Sequence, residues 1–246
     1  MNKLLQYYVN ILNKIEGTNL RVRNQENKKL SCYFYSKGEM YDGKLMIVGR
    51  AENGGTEEDA WIQGDSCVKG IEEFIENRFQ VSSRWSLKWV SEWWGRKGFD
   101  EKGGVLYNSA TPFWQLVKAV LSGINGDAQW DEERWPLRII WSNIYKFSPM
   151  NGGNPNYTLQ MLQLNECQKI LQFEIDLFKP DNILFVTGEN WFNDVKSLFL
   201  QEADQNFYLH QNGKKSYIYV CERPEFKSPY AIAQQVISKI IAARFR

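Results

Sequence analysis

Four segments of this chain are short, nearly unbroken apolar runs that stop at polar or glycine-rich residues: 45–49 (Leu-Met-Ile-Val-Gly), 139–143 (Ile-Ile-Trp-Ser-Asn), 183–188 (Ile-Leu-Phe-Val-Thr-Gly) and 217–221 (Tyr-Ile-Tyr-Val-Cys). Strands covered on both faces read this way, and such strands belong to parallel sheets. Between them the periodicity is helical. Leu4, Leu5, Tyr8, Ile11, Leu12 and Ile15 share one face of an N-terminal helix that ends near Gly17. Residues 165–178 carry Cys167, Ile170, Leu171, Leu177 and Phe178 as apolar positions and stop before Pro180. Further helices are predicted from Pro112 through about Leu121, over 189–200, and from Ser228-Pro229 onward. In the last of these Ile232, Val236, Ile237, Ile240 and Ile241 point inward.

Trp85, Trp89, Trp93 and Trp94 recur at helical spacing within 68–98, which reads first as a core stripe and second as a stacking surface for bases. Residues 32–35 are predicted as an outer strand, and 95–104 and 151–155 as loops. The pattern predicts an α/β fold, one domain over residues 1–246, with a central four-stranded parallel sheet flanked by helices. A tryptophan-rich helical insertion occupies about 56–105. In parallel sheets ligands bind beyond the carboxyl ends of the strands, so four strand ends should converge on one crevice.

Composition narrows the partners. Thirty Lys and Arg against 29 Asp and Glu leave a net charge of +1, so any contact with DNA needs a local basic patch. Cysteines 32, 67, 167 and 221 show no CxxC spacing and read as reduced thiols, with no disulfide framework and no metal site. No apolar run has the length of a membrane span, and the first helix lacks the features of a signal peptide; a cytoplasmic protein with no membrane partner is expected. A Walker loop, a G-x-G-x-x-G fingerprint and a G-x-S-x-G elbow are all missing, which argues against ATP, dinucleotide cofactors and serine-hydrolase chemistry. The single histidine, His210, stands before an Asn212-Gly213 turn and is expected to be exposed and inert.

Several segments carry a resemblance in their order along the chain. Residues 48–55 (Val-Gly-Arg-Ala-Glu-Asn-Gly-Gly) are a strand running into a glycine-rich acidic loop, and Pro112-Phe113 enters a helix. A strand ending in Asn143 is followed by Lys146 and Pro149; Lys179-Pro180 precedes a strand ending in Gly188; the loop 222–226 leads to the final helix. This succession resembles the uracil-DNA glycosylase-like superfamily over about two-thirds of the chain. The chain departs from that pattern at points that matter. The proline of the first motif is missing, and Arg223 replaces the closing histidine. Phe147 stands where the iron–sulfur branch has a cysteine, and Cys167 matches another cluster position without partners, so no cluster is expected and no cofactor is assigned. The resemblance implies a divergent DNA glycosylase that hydrolyses the N-glycosidic bond of uracil or another damaged base. The alternative is a catalytically degenerate module on the same fold that binds a nucleotide, nucleic acid or a partner protein; a different hydrolase is the third reading.

The chemistry assigns roles. N-glycosidic cleavage passes through an oxocarbenium-like state and releases an anionic base. Glu52, with Asn53 as its substitute, is the candidate for holding water beneath the sugar, and Arg223 for stabilising the departing base by charge alone. Phe113 is the candidate platform for an extruded base, Asn143 the reader of its edge, and Lys146 a phosphate contact. Each has a plainer rival: Glu52 at a helix N-terminus, Asn143 as a buried loop tie, Phe113 as core, and Arg223 in an ion pair with Glu222, Glu225 or Glu189.

Overall fold

The computed structural model describes residues 3–18, 29–52, 60–62, 70–84, 87–99, 108–126, 131–202, 205–225 and 227–244. The first part of the chain holds α1 (Lys3–Glu16), β1 (Lys29–Cys32), β2 (Ser36–Lys37), β3 (Leu45–Gly49), β4 (Ala60–Ile62), α2 (Ile71–Arg84), α3 (Lys88–Glu92) and α4 (Pro112–Asn125). The second part holds β5 (Ile139–Asn143), β6 (Phe147–Pro149), α5 (Tyr157–Phe178), β7 (Asn182–Val186), α6 (Glu189–Phe192), β8 (Leu200–Glu202), β9 (Gln205–Leu209), β10 (Lys215–Cys221) and α7 (Pro229–Arg244).

The architecture is mixed α/β. The main sheet has seven strands in the order β2-β5-β3-β7-β10-β9-β8. Its centre, β5-β3-β7-β10, is mutually parallel and comprises the four apolar runs seen in the sequence. The sheet is larger than the expected four strands because β2, β9 and β8 add antiparallel edges. Those edges are short and partly exposed, β8 along its whole length, so they lack the doubly covered signature. A second sheet, β4-β1-β6, is antiparallel throughout.

Side-chain alternation splits the core into two layers. Met46 and Val48 of β3 meet α1 and α5, whereas Leu45 and Ile47 meet α4, α7 and the segment around α3. The predicted face of α1 is buried at all six positions. On α7 the inward face is shorter than expected, since Ile241 is exposed.

Several boundaries differ from the sequence reading. The strand predicted over 32–35 runs instead over 29–32, in the smaller sheet. Residues 147–149 form a further strand, in which Ser148 and Phe147 pair with Ser31 and Cys32. Helix α5 begins at Tyr157, well before 165, where the Asn156 side chain accepts a hydrogen bond from the Leu159 amide at 2.9 Å. The helix predicted over 189–200 is reduced to one turn, followed by a 3₁₀ turn at Lys196–Leu198 and then β8. The tryptophan-rich stretch is two helices, with Trp85 outside the described residues.

His210 is buried, contrary to expectation. Its Nε2 lies 2.7 Å from Ser216 Oγ and its Nδ1 3.3 Å from Asp176 Oδ1. Ser216 is fully buried and also bonds the Pro180 carbonyl, so this Asp–His–Ser chain ties α5 to the β9–β10 hairpin with its serine and histidine shut away from solvent. Burial lowers the imidazole pKa below its ordinary 6.5, with Asp176 partly offsetting the effect. The unfolded chain therefore binds the proton more readily than the fold does. His210's contribution is complete above the unfolded pKa and is lost as pH falls through and below it. The melting temperature is expected to fall between about pH 7.5 and about pH 5 by more in the wild type than in His210→Gln. Equal falls in the two proteins would refute this.

Candidate functional site

The carboxyl ends of β3 and β5 stand side by side, with Gly49 opposite Asn143 in the parallel register. Beyond them the chain is tied across: the Ile144 amide donates to the Gly49 carbonyl at 2.9 Å and the Tyr145 amide to the Arg50 carbonyl at 3.0 Å. Ser148 Oγ then donates to the Glu52 carbonyl at 2.7 Å. These bonds fix the loops around a crevice of about 680 Å³, in the size range of roughly 300–1,000 Å³ typical of small-molecule sites.

Glu52, Phe113, Asn143 and Arg223 all line this one crevice. Asn53 lies outside the described residues. Asn143 forms the floor and is 1% exposed. A Cβ on Gly49 would stand 2.3 Å from Asn143 Oδ1 and 3.7 Å from Trp141 Nε1, so the missing side chain leaves the room these groups occupy. The Asn143 Nδ2 and the Trp141 Nε1 are buried and have no hydrogen-bond partner.

One wall is aromatic. Thr111 caps α4 and Pro112 opens it, which sets Phe113 half-buried at the crevice edge with its ring 5.0 Å from Trp114 and 6.3 Å from Trp141. Trp89 and Trp93 of the insertion complete this wall, while Val90 and Leu87 beside them are fully buried. The tryptophan-rich segment thus both extends the core and closes one side of the crevice. Across from it Tyr33 reaches Trp141 at 5.0 Å.

The rim is charged. Arg50 Nε donates to the Thr187 carbonyl at 2.9 Å, and its guanidinium lies 5.5 Å from the Trp191 ring centroid. Arg50 and Arg223 both face Glu225 Oε1, at 3.9 and 3.4 Å. Of the three acids proposed from sequence as partners for Arg223, Glu225 is therefore the one it meets. Burial lowers the Arg50 pKa, Glu225 opposes that effect, and the group remains a cation. Arg78 also lines the crevice. Cys32 does as well, but burial raises its thiol far above the ordinary range, as it raises Cys167 and Cys221 to about 12, so these are inert thiols.

Lys146 is not available to a phosphate. It is 1% exposed, with Nζ 2.9 Å from Glu174 Oε1 and 2.7 Å from Ser142 Oγ, while Ser142 Oγ donates to Glu174 Oε2 at 2.6 Å. Its carbon stem and charge are turned away from the crevice into the core between β5 and α5. This is a structural ion pair.

The sequence reading missed Trp141 and Arg50. A period-two signal was present for the first, since residues 141 and 143 of one strand share a face. Arg50 directly follows a strand end, but its partners Thr187 and Trp191 lie far along the chain and leave no local trace. Among the described residues no group of three or more His, Cys, Asp or Glu is placed so that it could hold a metal ion, and no helix is long and apolar enough to cross a membrane. No protein-family model and no curated protein matches this chain.

Proposed function

We propose that the chain is a divergent DNA glycosylase of the uracil-DNA glycosylase-like kind, acting on a nucleobase extruded into the crevice. The observation that carries this reading is the convergence of Glu52, Phe113, Asn143 and Arg223, predicted from separate segments, on one cavity at the strand ends. The parallel order β5-β3-β7-β10 supports the fold likeness. Arg50, Arg78 and Arg223 outnumber Glu52 and Glu225 in the lining of the crevice, a small local excess of positive charge that suits a nucleic-acid backbone approaching the rim.

In this reading the base lies against Phe113 with its polar edge on Asn143. Glu52 orients a water whose oxygen forms the new bond to the sugar C1′. The C1′–N bond breaks, its electron pair leaves with the base, and Glu52 takes the proton released by the water. Arg223 stabilises the anionic base by charge, and the base is later protonated from solvent.

Excision should be measured on single- and double-stranded oligonucleotides carrying uracil and common damaged bases. The wild type is expected to release base, and Glu52→Ala and Asn143→Ala to lose at least about 100-fold in rate, the scale of one general-base or electrostatic contribution. A second reading is a base-binding module without catalysis. It is favoured by Arg223 standing, paired with Glu225, where a titratable acid would be wanted. Binding without release on any substrate would select it.

A further inference from the structure

The tryptophan-rich insertion turns half-buried rings toward the crevice that the roles assigned at the strand ends do not use. Trp89 and Trp93 line its outer lip together with Arg78, Val81 and Ser82 of α2. Val81 and Ser82 follow Arg78 by three and four residues, so all three share one face of that helix. Val81 is 40% exposed, an apolar side chain left open at the mouth. The core takes Leu87 and Val90 from this segment, both fully buried, whereas Trp89 and Trp93 keep part of their surface on the crevice. The lip lies in the insertion, outside the segments that carry the family resemblance.

From lip to floor the rings form a series. Trp93 is 5.7 Å from Trp89, Trp89 is 6.4 Å from Trp141, and Trp141 is 6.3 Å from Phe113. The ring planes turn by 57°, 55° and 52° at these steps. Bases in a duplex lie parallel at about 3.4 Å, so they cannot follow rings spaced almost twice as far and tilted at each step. An unpaired strand can, because each base turns separately onto its own ring. The charges agree. Glu52 and Glu225, the acids that line the crevice, belong to the strand-end loops, while the charged lining residue of the lip is Arg78. Arg96 adds a second cation there, its guanidinium 5.8 Å from the Trp93 ring and its Nε donating to the Glu92 carbonyl at 2.9 Å.

We infer that this lip is a second stacking subsite, which binds single-stranded nucleic acid with bases laid on Trp93 and Trp89 and phosphates drawn to Arg78 and Arg96. It holds the nucleotides beside the one that enters the crevice. As a substrate assignment this rests on the reading of the crevice as a base site; as a binding surface for a strand it does not.

Fluorescence anisotropy should compare a short labelled oligothymidylate, an oligouridylate of the same length, and the thymidylate annealed to its complement. Single strands are expected to bind the wild type at least about fivefold more tightly than the duplex, the least that one stacked base is worth. Trp93→Ala should lose about 5- to 150-fold of that affinity, and Trp93→Phe, which keeps a ring, should retain most of it. Arg78→Gln should lower the slope of log affinity against log salt by about 0.7, the release from one phosphate of a single strand. The two sugars separate DNA from RNA as the source of the strand. If Trp93→Ala does not fold, the wild-type preference for single strands and the Arg78→Gln slope decide. Equal affinity for duplex and single strand, or unchanged single-strand affinity in folded Trp93→Ala, would overturn the subsite and leave the glycosylase reading standing. Single-strand binding that depends on Trp93, with no base released from any substrate, would keep the subsite and overturn the glycosylase. Failure of every oligonucleotide to bind would overturn both.

Discussion

Lys146→Ala is expected to destabilise the fold by about 3–5 kcal/mol, because it strands the Glu174 carboxylate in the core. The pair is enclosed on all sides, with neither side chain exposed. Ser142 Oγ bonds both partners, and Gln163 of α5 accepts the Lys146 and Phe147 amides at 3.1 and 2.9 Å. Removing one charge leaves the other with a desolvation cost and no compensation. The melting temperature should drop by roughly 6–20 °C for a chain of this size. The double variant Lys146→Met, Glu174→Leu removes both charges together and should recover most of the loss, since buried pairs replaced by apolar residues are often neutral. A single variant that melts like the wild type would refute this account of the pair.

Gly49→Ala is expected to separate recognition from stability. The new Cβ would meet Asn143 Oδ1 at 2.3 Å, the far end of a side chain, whereas its remaining neighbours lie at 3.5 Å or beyond. The carboxamide must rotate away while β3 and its register remain. Affinity for a base read by Asn143 should fall by about 10- to 100-fold, the value of roughly 1–3 kcal/mol attached to a well-formed base contact. Thermal denaturation should move little, as alanine costs less backbone entropy than glycine in a strand. Unchanged binding would show that Asn143 does not read the ligand.

The parts of the fold legible in the sequence are those whose burial is continuous or strictly periodic. The runs at 45–49 and 139–143 are apolar on both faces because helices cover both sides of β3 and β5, and α1 shows one clean stripe because only one of its faces is packed. Elements with mixed exposure escaped. The first turns of α5 carry the exposed Tyr157 and Met161, which blur its period, and β8 exposes all three residues. The site followed the same logic. Asn143 was visible as a polar residue closing a buried strand. The true surroundings of Lys146 and His210 were not, because Glu174 and Asp176 lie 28 and 34 residues away on α5, and a lysine after a strand or a histidine before an Asn-Gly turn reads as solvent-facing until those partners are in place.

The smaller sheet has a consequence for how the crevice comes into being. Strand β1 lies between β4 and β6, so Ser31 meets Ser148 across 117 residues of sequence, and the Tyr33 amide reaches the Lys146 carbonyl at 2.8 Å. Pairings of this span carry a large loop-closure cost before they return any contact energy, and they slow folding accordingly. The wall that carries Tyr33 and Phe34 is held in place by this pairing. Opening that one antiparallel edge disassembles the crevice while the seven-stranded sheet is still intact, so a bound base should slow hydrogen exchange in β1 and β6 before it protects any strand of the core.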